Sequence, residues 1–178
     1  MLLAACDGGP KFRSVDITGA DYGRALELTD TSGKVRHLED FRGKAVVLFF
    51  GFTHCPDVCP STLADVAGAL KELGSDAERV QVLFVTVDPE RDTPQDLAKY
   101  VGAFDPRFLA LRGDLDATRR TAKEFKIYFE KRPQGASYTV DHSAQTYLID
   151  PQGRLRLLVR HERIAQDLAP DLRTLLRG

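Results

Sequence analysis

Two apolar runs rich in β-branched and aromatic residues, 45–50 and 80–87, are separated by a segment whose apolar residues recur with a helical period. Both runs are continuous rather than alternating, which is typical of strands that are buried on both faces of a sheet. Between them, residues 56–74 follow the helical period, and Gly74 is a suitable residue for ending the helix. This order of strand, helix and strand predicts the interior of an α/β sheet.

The rest of the chain continues the alternation of strands and helices. Residues 25–29 and 34–38 flank a cluster of turn residues and predict an N-terminal β-hairpin. Further along we expect strands at 108–111, 145–149 and 155–159, and helices capped by Thr93, Asp114 and Asp167. Pro170 then falls in the first turn of the last helix, where proline is tolerated. We predict one α/β domain with a central sheet over residues 23–178, preceded by a tether over residues 1–22.

Composition excludes several classes of function. The chain has 178 residues, of which 29% are charged, and a formal net charge of −1. A nucleic-acid-binding protein would show a basic excess or patch, so no nucleic-acid partner is expected. No apolar run is long enough for a membrane-spanning helix. Three cysteines are too few for a scaffold held together by disulfides.

One cysteine, Cys6, lies close to the N-terminus in the sequence MLLAACDGG. Residues 3–6 resemble a bacterial lipobox, in which the cysteine becomes the lipidated first residue of the mature protein, although most of a signal peptide is missing before them. We expect an extracytoplasmic, periplasmic protein that meets the membrane only through a lipid anchor on Cys6. The alternative is a free thiol in a frayed terminus.

The other two cysteines, Cys55 and Cys59, lie four positions apart in the sequence FFGFTHCPDVCP, residues 49–60. They fall where the first buried strand passes into a helix, and open α/β sheets place their binding sites at this edge. The unpaired N–H groups and the positive dipole end of a helix N-terminus favour a thiolate there. If the helix starts this early, both sulfurs face one point. A redox disulfide, a metal site and two thiols that merely pack all remain open.

Two sulfurs seldom complete a metal site, so a histidine is expected as a further ligand. The chain has four, His37, His54, His142 and His161. We interpret His37 and His161 as surface or packing residues. His54 is adjacent to Cys55, but neighbouring side chains seldom face the same way.

His142 is the strongest candidate for the third ligand. It precedes the strand predicted at 145–149, and in a thioredoxin-like arrangement the loop before this strand lies against the cysteine helix. Thioredoxins carry a cis-proline in that loop, whereas no proline lies between residues 134 and 150 of this chain. A histidine preceded by a carboxylate occupies the place instead, and Asp141 is a candidate for orienting the His142 ring.

Three blocks of sequence, 51–60, 86–94 and 140–143, resemble the Sco/SenC family in their residues, order and separation. The resemblance covers everything after the N-terminal tether. In the second block, a turn followed by a capped helix accounts for the two prolines, and the charged residues are candidates for shaping the surface near the site.

The resemblance implies a thioredoxin-like fold with a central mixed sheet, and a copper site, Cu(I) or Cu(II), made of Cys55, Cys59 and His142. It also implies a metallochaperone rather than an enzyme. Its partners would be cytochrome c oxidase subunit II, whose dinuclear copper centre it helps to build, and a periplasmic copper donor or co-chaperone. It would act by transferring copper or by reducing the target's cysteines. The alternative is an exported thiol–disulfide oxidoreductase that uses Cys55 and Cys59 as a redox pair and carries no copper.

Overall fold

The computed structural model describes residues 9–178, which form ten strands and four α-helices. The strands are β1 (Val15–Asp16), β2 (Glu27–Asp30), β3 (Val35–His37), β4 (Ala45–Gly51), β5 (Val80–Thr86), β6 (Leu109–Arg112), β7 (Phe129–Gln134), β8 (Ser137–His142), β9 (Thr146–Ile149) and β10 (Leu155–Val159). The helices are α1 (Val58–Leu73), α2 (Pro94–Gly102), α3 (Leu115–Glu124) and α4 (Ile164–Arg177). In this part of the chain, no helix combines the length and apolar character needed to span a bilayer. Cys6, with its predicted lipid anchor, lies outside the described residues.

Eight strands form one mixed sheet in the order β1-β10-β9-β4-β5-β6-β2-β3. β4, β5 and β6 are parallel, and every other neighbouring pair is antiparallel. α1 packs against α4, while α2 contacts β6 and α3 contacts β2. This architecture confirms the predicted α/β fold with a central mixed sheet, flanking helices and the N-terminal hairpin β2–β3.

β4 and β5 form the centre of the core. Every residue of β4 is buried: the strand pairs with β9 on one side and β5 on the other, α4 packs against it, and Phe50 packs on Phe125. The rings of Phe49 and Phe84 meet across this pair with centroids 6.0 Å apart. Burying a side chain of this size stabilises the fold by about 1.5–3 kcal/mol, so the two strands provide a rigid base for the loops that follow them.

The first helix starts later than predicted. α1 begins at Val58, with Asp57 before it as a cap residue whose side chain makes no capping hydrogen bond. Cys55 lies in a turn in which its backbone N–H donates to the carbonyl of Phe52 at 3.3 Å. This turn ends β4 and delays the helix, so that only Cys59 is helical.

The last helix also differs from the prediction. α4 begins at Ile164, so Asp167 lies in its first turn and does not cap it, and Pro170 is inside the helix. Proline has no N–H to donate to the carbonyl of Gln166, four residues earlier. The guanidinium of Arg13 donates to that carbonyl at 3.1 Å. The helix accommodates Pro170 because a distant segment supplies the missing bond, which no local pattern can reveal.

The N-terminal segment is attached to α4 and to the edge of the sheet. The carboxylate of Asp171, which is 1% exposed, accepts the backbone N–H groups of Arg13 at 2.8 Å and Ser14 at 2.9 Å. Directly after them, β1 pairs with β10. The division into a tether over residues 1–22 and a domain over residues 23–178 stays a prediction.

The hairpin β7–β8 was not expected from the sequence. Within residues 9–178, its strands pair only with each other, in a separate two-stranded sheet. Most of β7 is exposed, so it lacks the apolar alternation that identifies a strand. The local signal is Gly135, which has a φ of 60° and forms a two-residue turn with Ala136.

Replacing Asp171 with alanine should lower the free energy of unfolding by about 2 kcal/mol, because two backbone amides lose a charged acceptor. Urea unfolding followed by circular dichroism measures this change. Asp116→Ala is the matched control, since Asp116 is 76% exposed and pairs only with Arg119 at 3.5 Å; it should change the stability by less than about 0.5 kcal/mol. Equal unfolding midpoints for the two variants would show that the Asp171 contacts contribute nothing.

Candidate metal centre

The candidate site lies at the carboxyl ends of β4 and β5. Gly51 and Thr86 are the last paired residues of these strands, and the Val87 N–H donates to the Gly51 carbonyl at 2.8 Å. The loops that follow the two strands therefore begin side by side. β9 is antiparallel to β4, so the residues that precede β9 reach the same edge of the sheet. His142, the last residue of β8, is among them.

The structure brings together the three side chains predicted to bind metal. Cys55 is half-buried in the turn before α1, whereas Cys59, in the first turn of α1, is completely buried. The Sγ of Cys59 lies 3.6 Å from Nε2 of His142. The two sulfurs and one imidazole nitrogen all lie within 4.8 Å of one another. Two ligands of one ion at distances of about 2.0–2.3 Å are at most about 4.6 Å apart, so the donors need little rearrangement to share a metal.

The backbone selects the tautomer of His142. Its Nδ1 lies 2.8 Å from the Ser143 carbonyl oxygen. A carbonyl can only accept a hydrogen bond, so Nδ1 carries the proton, and in the neutral ring Nε2 presents a lone pair toward Cys59. The rings of Phe49 and Phe52 hold the imidazole edge-on, with centroids 6.3 and 5.7 Å from it. The ring is thus oriented for coordination through Nε2.

The predicted role of Asp141 is wrong. Successive side chains of a strand point to opposite faces, so Asp141 points away from the site that His142 faces. Its carboxylate is exposed and accepts a hydrogen bond from Nε of Arg132 at 3.0 Å. The Ser143 carbonyl takes the orienting role that the sequence suggested for Asp141.

The other three histidines lie outside the cluster. His54 is exposed, and its Nδ1 contacts the hydroxyl of Thr53 at 3.1 Å. His37 is also exposed, in β3. His161 contacts the hydroxyl of Thr62 on α1 through Nδ1, at 2.8 Å. These positions agree with the surface and packing interpretations.

The two thiols of the site differ in acidity. A hydrogen bond from the Cys59 thiol lowers the pKa of Cys55 to about 4 against the opposing effect of burial, and the Cys59 backbone N–H, 3.3 Å from the Cys55 sulfur, also lowers it. The same sulfur–sulfur hydrogen bond, together with burial, raises the pKa of Cys59 far above that of an ordinary thiol. The reduced site therefore holds a half-exposed thiolate on Cys55 and a buried thiol on Cys59.

A buried carboxylate that the sequence analysis did not place in the site holds the cysteine loop. Asp92 is completely buried and accepts two hydrogen bonds from Thr53, from its N–H at 3.1 Å and its hydroxyl at 2.6 Å. It also accepts the hydroxyl of Thr86 at 2.6 Å. Asp92 belongs to the block 86–94, whose charged residues the sequence offers as candidates for shaping the surface near the site, whereas Asp92 is buried. The structure shows that the block also connects the loops after β4 and β5.

Gly51 allows Cys59 to approach the sheet closely. A β-carbon at residue 51 would lie 2.8 Å from the Sγ of Cys59, and equally close to the ring of Phe84. Both distances are too short for non-bonded atoms. The glycine therefore leaves the space that the sulfur of Cys59 occupies.

We expect Gly51→Ala to destabilise the reduced protein by about 1–3 kcal/mol, since the added methyl overpacks the core and displaces Cys59. Urea unfolding under reducing conditions tests this. Gly68→Ala is a matched control, because Gly68 is an exposed residue of α1 whose added β-carbon meets no atom within 4 Å. It should stabilise the helix by about 0.5–1 kcal/mol. A neutral Gly51→Ala would contradict the close approach.

The alkylation of Cys55 should be nearly independent of pH between about 6 and 8 and should slow only as the pH approaches its pKa, because protonation removes the nucleophilic thiolate. An ordinary thiol, with a pKa of about 8.5, would react roughly tenfold faster per pH unit over that range. The rate of alkylation by iodoacetamide is measured on the reduced Cys6→Ser protein, in which Cys55 and Cys59 are the remaining thiols. Cys59→Ala removes the main hydrogen bond that stabilises the Cys55 thiolate, so it should raise the pH midpoint of the alkylation rate. A midpoint near 8 in the Cys6→Ser protein would contradict the thiolate.

The sequence of the chain is similar to those of known proteins. A family model described as SCO1/SenC matches residues 15–177. The mitochondrial SCO2 homolog of Bos taurus is 39% identical over 152 residues, which cover 83% of this chain and 57% of that protein. The chain thus spans less than two thirds of the length of this curated relative.

Solved structures show the same similarity. Bradyrhizobium japonicum ScoI with copper bound is 38% identical, with a TM-score of 0.80 over 88% of this chain and 100% of that one. Apo Sco1 from Thermus thermophilus is 39% identical, with a TM-score of 0.83 over 93% and 98% of the two chains. They confirm the thioredoxin-like fold that the sequence resemblance implied. Together with the family model, these likenesses show that the chain belongs to the SCO1/SenC family.

Proposed function

We propose that this protein is a copper-binding assembly factor that helps to build the dinuclear copper centre of cytochrome c oxidase subunit II, with Cys55, Cys59 and His142 as the copper ligands. The observation that carries the proposal is the convergence of these three side chains, from two distant parts of the chain, within 4.8 Å. A relative of similar sequence and fold has been solved with copper bound, which supports the choice of metal.

The two sulfurs and the imidazole nitrogen of the cluster are suited to binding copper that is later passed to another protein. Thiolates are soft ligands that favour Cu(I), and imidazole binds both copper oxidation states. Zinc in a structural site has four protein ligands, whereas the cluster among residues 9–178 offers three. Three ligands leave a coordination position open, and Cys55 lies half-exposed beside it. This arrangement allows an incoming ligand from a partner protein to compete for the metal.

The acidities of the two thiols favour a second role, the reduction of the target's cysteines. In that role, the Cys55 thiolate attacks one sulfur of a target disulfide, and the other sulfur leaves as a thiolate. Cys59 then loses its proton and attacks the Sγ of Cys55, which breaks the mixed disulfide. The two target sulfurs gain two electrons and take up the proton of Cys59 and one proton from water, so the target departs as a dithiol and a Cys55–Cys59 disulfide remains. The low pKa of Cys55 and the burial of Cys59 suit the attacking and resolving positions.

The partners and the location belong to the same proposal. Subunit II would receive copper or electrons at the exposed side of Cys55, and a periplasmic copper donor or co-chaperone would load the site. A lipid anchor on Cys6 would hold the protein at an extracytoplasmic membrane surface. The relative from Bos taurus is mitochondrial, so the periplasmic location is proposed for this chain alone.

Replacing His142 with alanine should weaken Cu(I) binding by at least about tenfold, which corresponds to the loss of about 1.4 kcal/mol, and should leave the Cys55–Cys59 disulfide able to form. Competition with a chromogenic Cu(I) chelator measures the affinity, and thiol titration follows the disulfide. His54→Ala is the matched control, because this exposed histidine is adjacent to Cys55 but outside the cluster. Unchanged affinity in the His142→Ala protein would show that the proposed ligand set is wrong.

The same variants separate the two roles in cells. A strain that carries His142→Ala should lose oxidase activity if the protein supplies copper. Full activity in that strain, together with loss of activity in a Cys55→Ser strain, would favour reduction of the target's cysteines. The His54→Ala strain should be as active as the wild type.

A further inference from the structure

The hairpin that carries His142 has little packing of its own. In the part of the chain that the structure describes, β7 and β8 pair only with each other, and a two-stranded hairpin is at best marginally stable in water. Of the twelve residues in these strands, Val140 is the buried one, with 4% of its surface exposed. The position of His142 against Cys59 therefore requires contacts from outside the hairpin.

The loop after β5 supplies these contacts at Tyr138. The carboxylate of Asp88, which is completely buried, accepts the Tyr138 hydroxyl at 2.8 Å and Nε of Arg91 at 2.6 Å. Arg91 also donates from Nη1 to the Tyr138 carbonyl at 2.8 Å, and its guanidinium carbon lies 3.7 Å from the centre of the Tyr138 ring. Asp88 and Arg91 thus contact the hydroxyl, the ring and the backbone carbonyl of Tyr138.

Strand β8 connects the anchored Tyr138 to His142. Tyr138, Val140 and His142 lie two residues apart along β8 and so share one face. Tyr138 is held by the loop after β5, Val140 is buried and His142 faces Cys59. The contacts that anchor Tyr138 at one end of this face therefore fix the position of His142 at the other end, in the metal-binding cluster.

The same loop also holds the cysteine side of the cluster. Asp92, one residue after Arg91, binds Thr53 in the cysteine loop through its buried carboxylate. The segment from Asp88 to Asp92 therefore contacts both parts of the chain that contribute ligands. It sets the position of the histidine relative to the cysteines.

We propose that Asp88 and Arg91 are positioning residues that clamp the β7–β8 hairpin through Tyr138 and thereby hold His142 beside Cys59. The inference rests on the proposed function in so far as His142 serves as a copper ligand. The clamp gives a role to the second sequence block of the family resemblance, which a turn and a helix cap explain only in part.

Tyr138→Phe tests the clamp with the least disturbance, because it removes one hydroxyl and keeps the ring. Amide hydrogen exchange of the metal-free protein should become about tenfold faster in the hairpin, residues 129–142, and should stay unchanged in β4. Arg91→Gln should have the same effect. Tyr128→Phe is the matched control, since the hydroxyl of Tyr128 donates a hydrogen bond to the exposed Glu130, outside the contacts with Asp88 and Arg91. Unchanged exchange in both clamp variants, or an equal effect of Tyr128→Phe, would overturn the clamp.

A double-mutant cycle shows whether the clamp acts through the histidine. In the wild-type background, Tyr138→Phe should weaken Cu(I) binding by about tenfold. In the His142→Ala background, the same substitution should have no further effect. An equal loss in both backgrounds would mean general destabilisation and would overturn the positioning role. If His142→Ala alone left the affinity unchanged, the proposed ligand set would fail, whereas faster exchange in the hairpin would still support the clamp.

Discussion

The parallel pairing of β4 with β5 is the constraint on which the rest of the site depends. The two strands end together at Gly51 and Thr86, in the most buried part of the sheet. Two loops with different chemistry, one with the cysteines and one with buried carboxylates, must therefore run side by side. The antiparallel neighbour β9 brings a third segment, with His142, to the same edge. The cluster is thus a consequence of strand order, and its donors come from elements that are far apart in the chain.

Buried carboxylates then join these segments. Asp88 and Asp92 are both completely buried, and each accepts hydrogen bonds from a segment that carries a candidate ligand. Removing a hydrogen-bonding partner from a buried carboxylate is costly, which makes such contacts specific as well as stabilising. The loop after β5 is therefore an internal connector, although its charged sequence resembles that of a surface loop.

The site combines two chemical properties that serve different purposes. The imidazole of His142 and the two sulfurs form a soft donor set. The hydrogen bond between Cys55 and Cys59 makes one sulfur a thiolate and keeps the other protonated. A metal bound to both sulfurs must displace the proton of Cys59, so copper loading and thiol chemistry compete for the same atoms. The two proposed roles, copper transfer and thiol reduction, would accordingly use the same cluster.

The sequence by itself determined the central strands, the starts of α2 and α3 and the two candidate cysteine ligands, because apolar periodicity, capping residues and the spacing of the cysteines are local patterns. His142 became the third candidate through its place before a predicted strand and through the family resemblance. It could not show the exposed hairpin β7–β8, whose polar residues follow no such pattern. It also could not show that α4 starts at Ile164 and contains Pro170, because the carbonyl of Gln166 receives its hydrogen bond from the distant Arg13. Nor could it show that Ser143, rather than Asp141, orients the histidine. Tertiary structure decided these features, since each depends on contacts or strand faces that are set only when segments distant in the chain pack together.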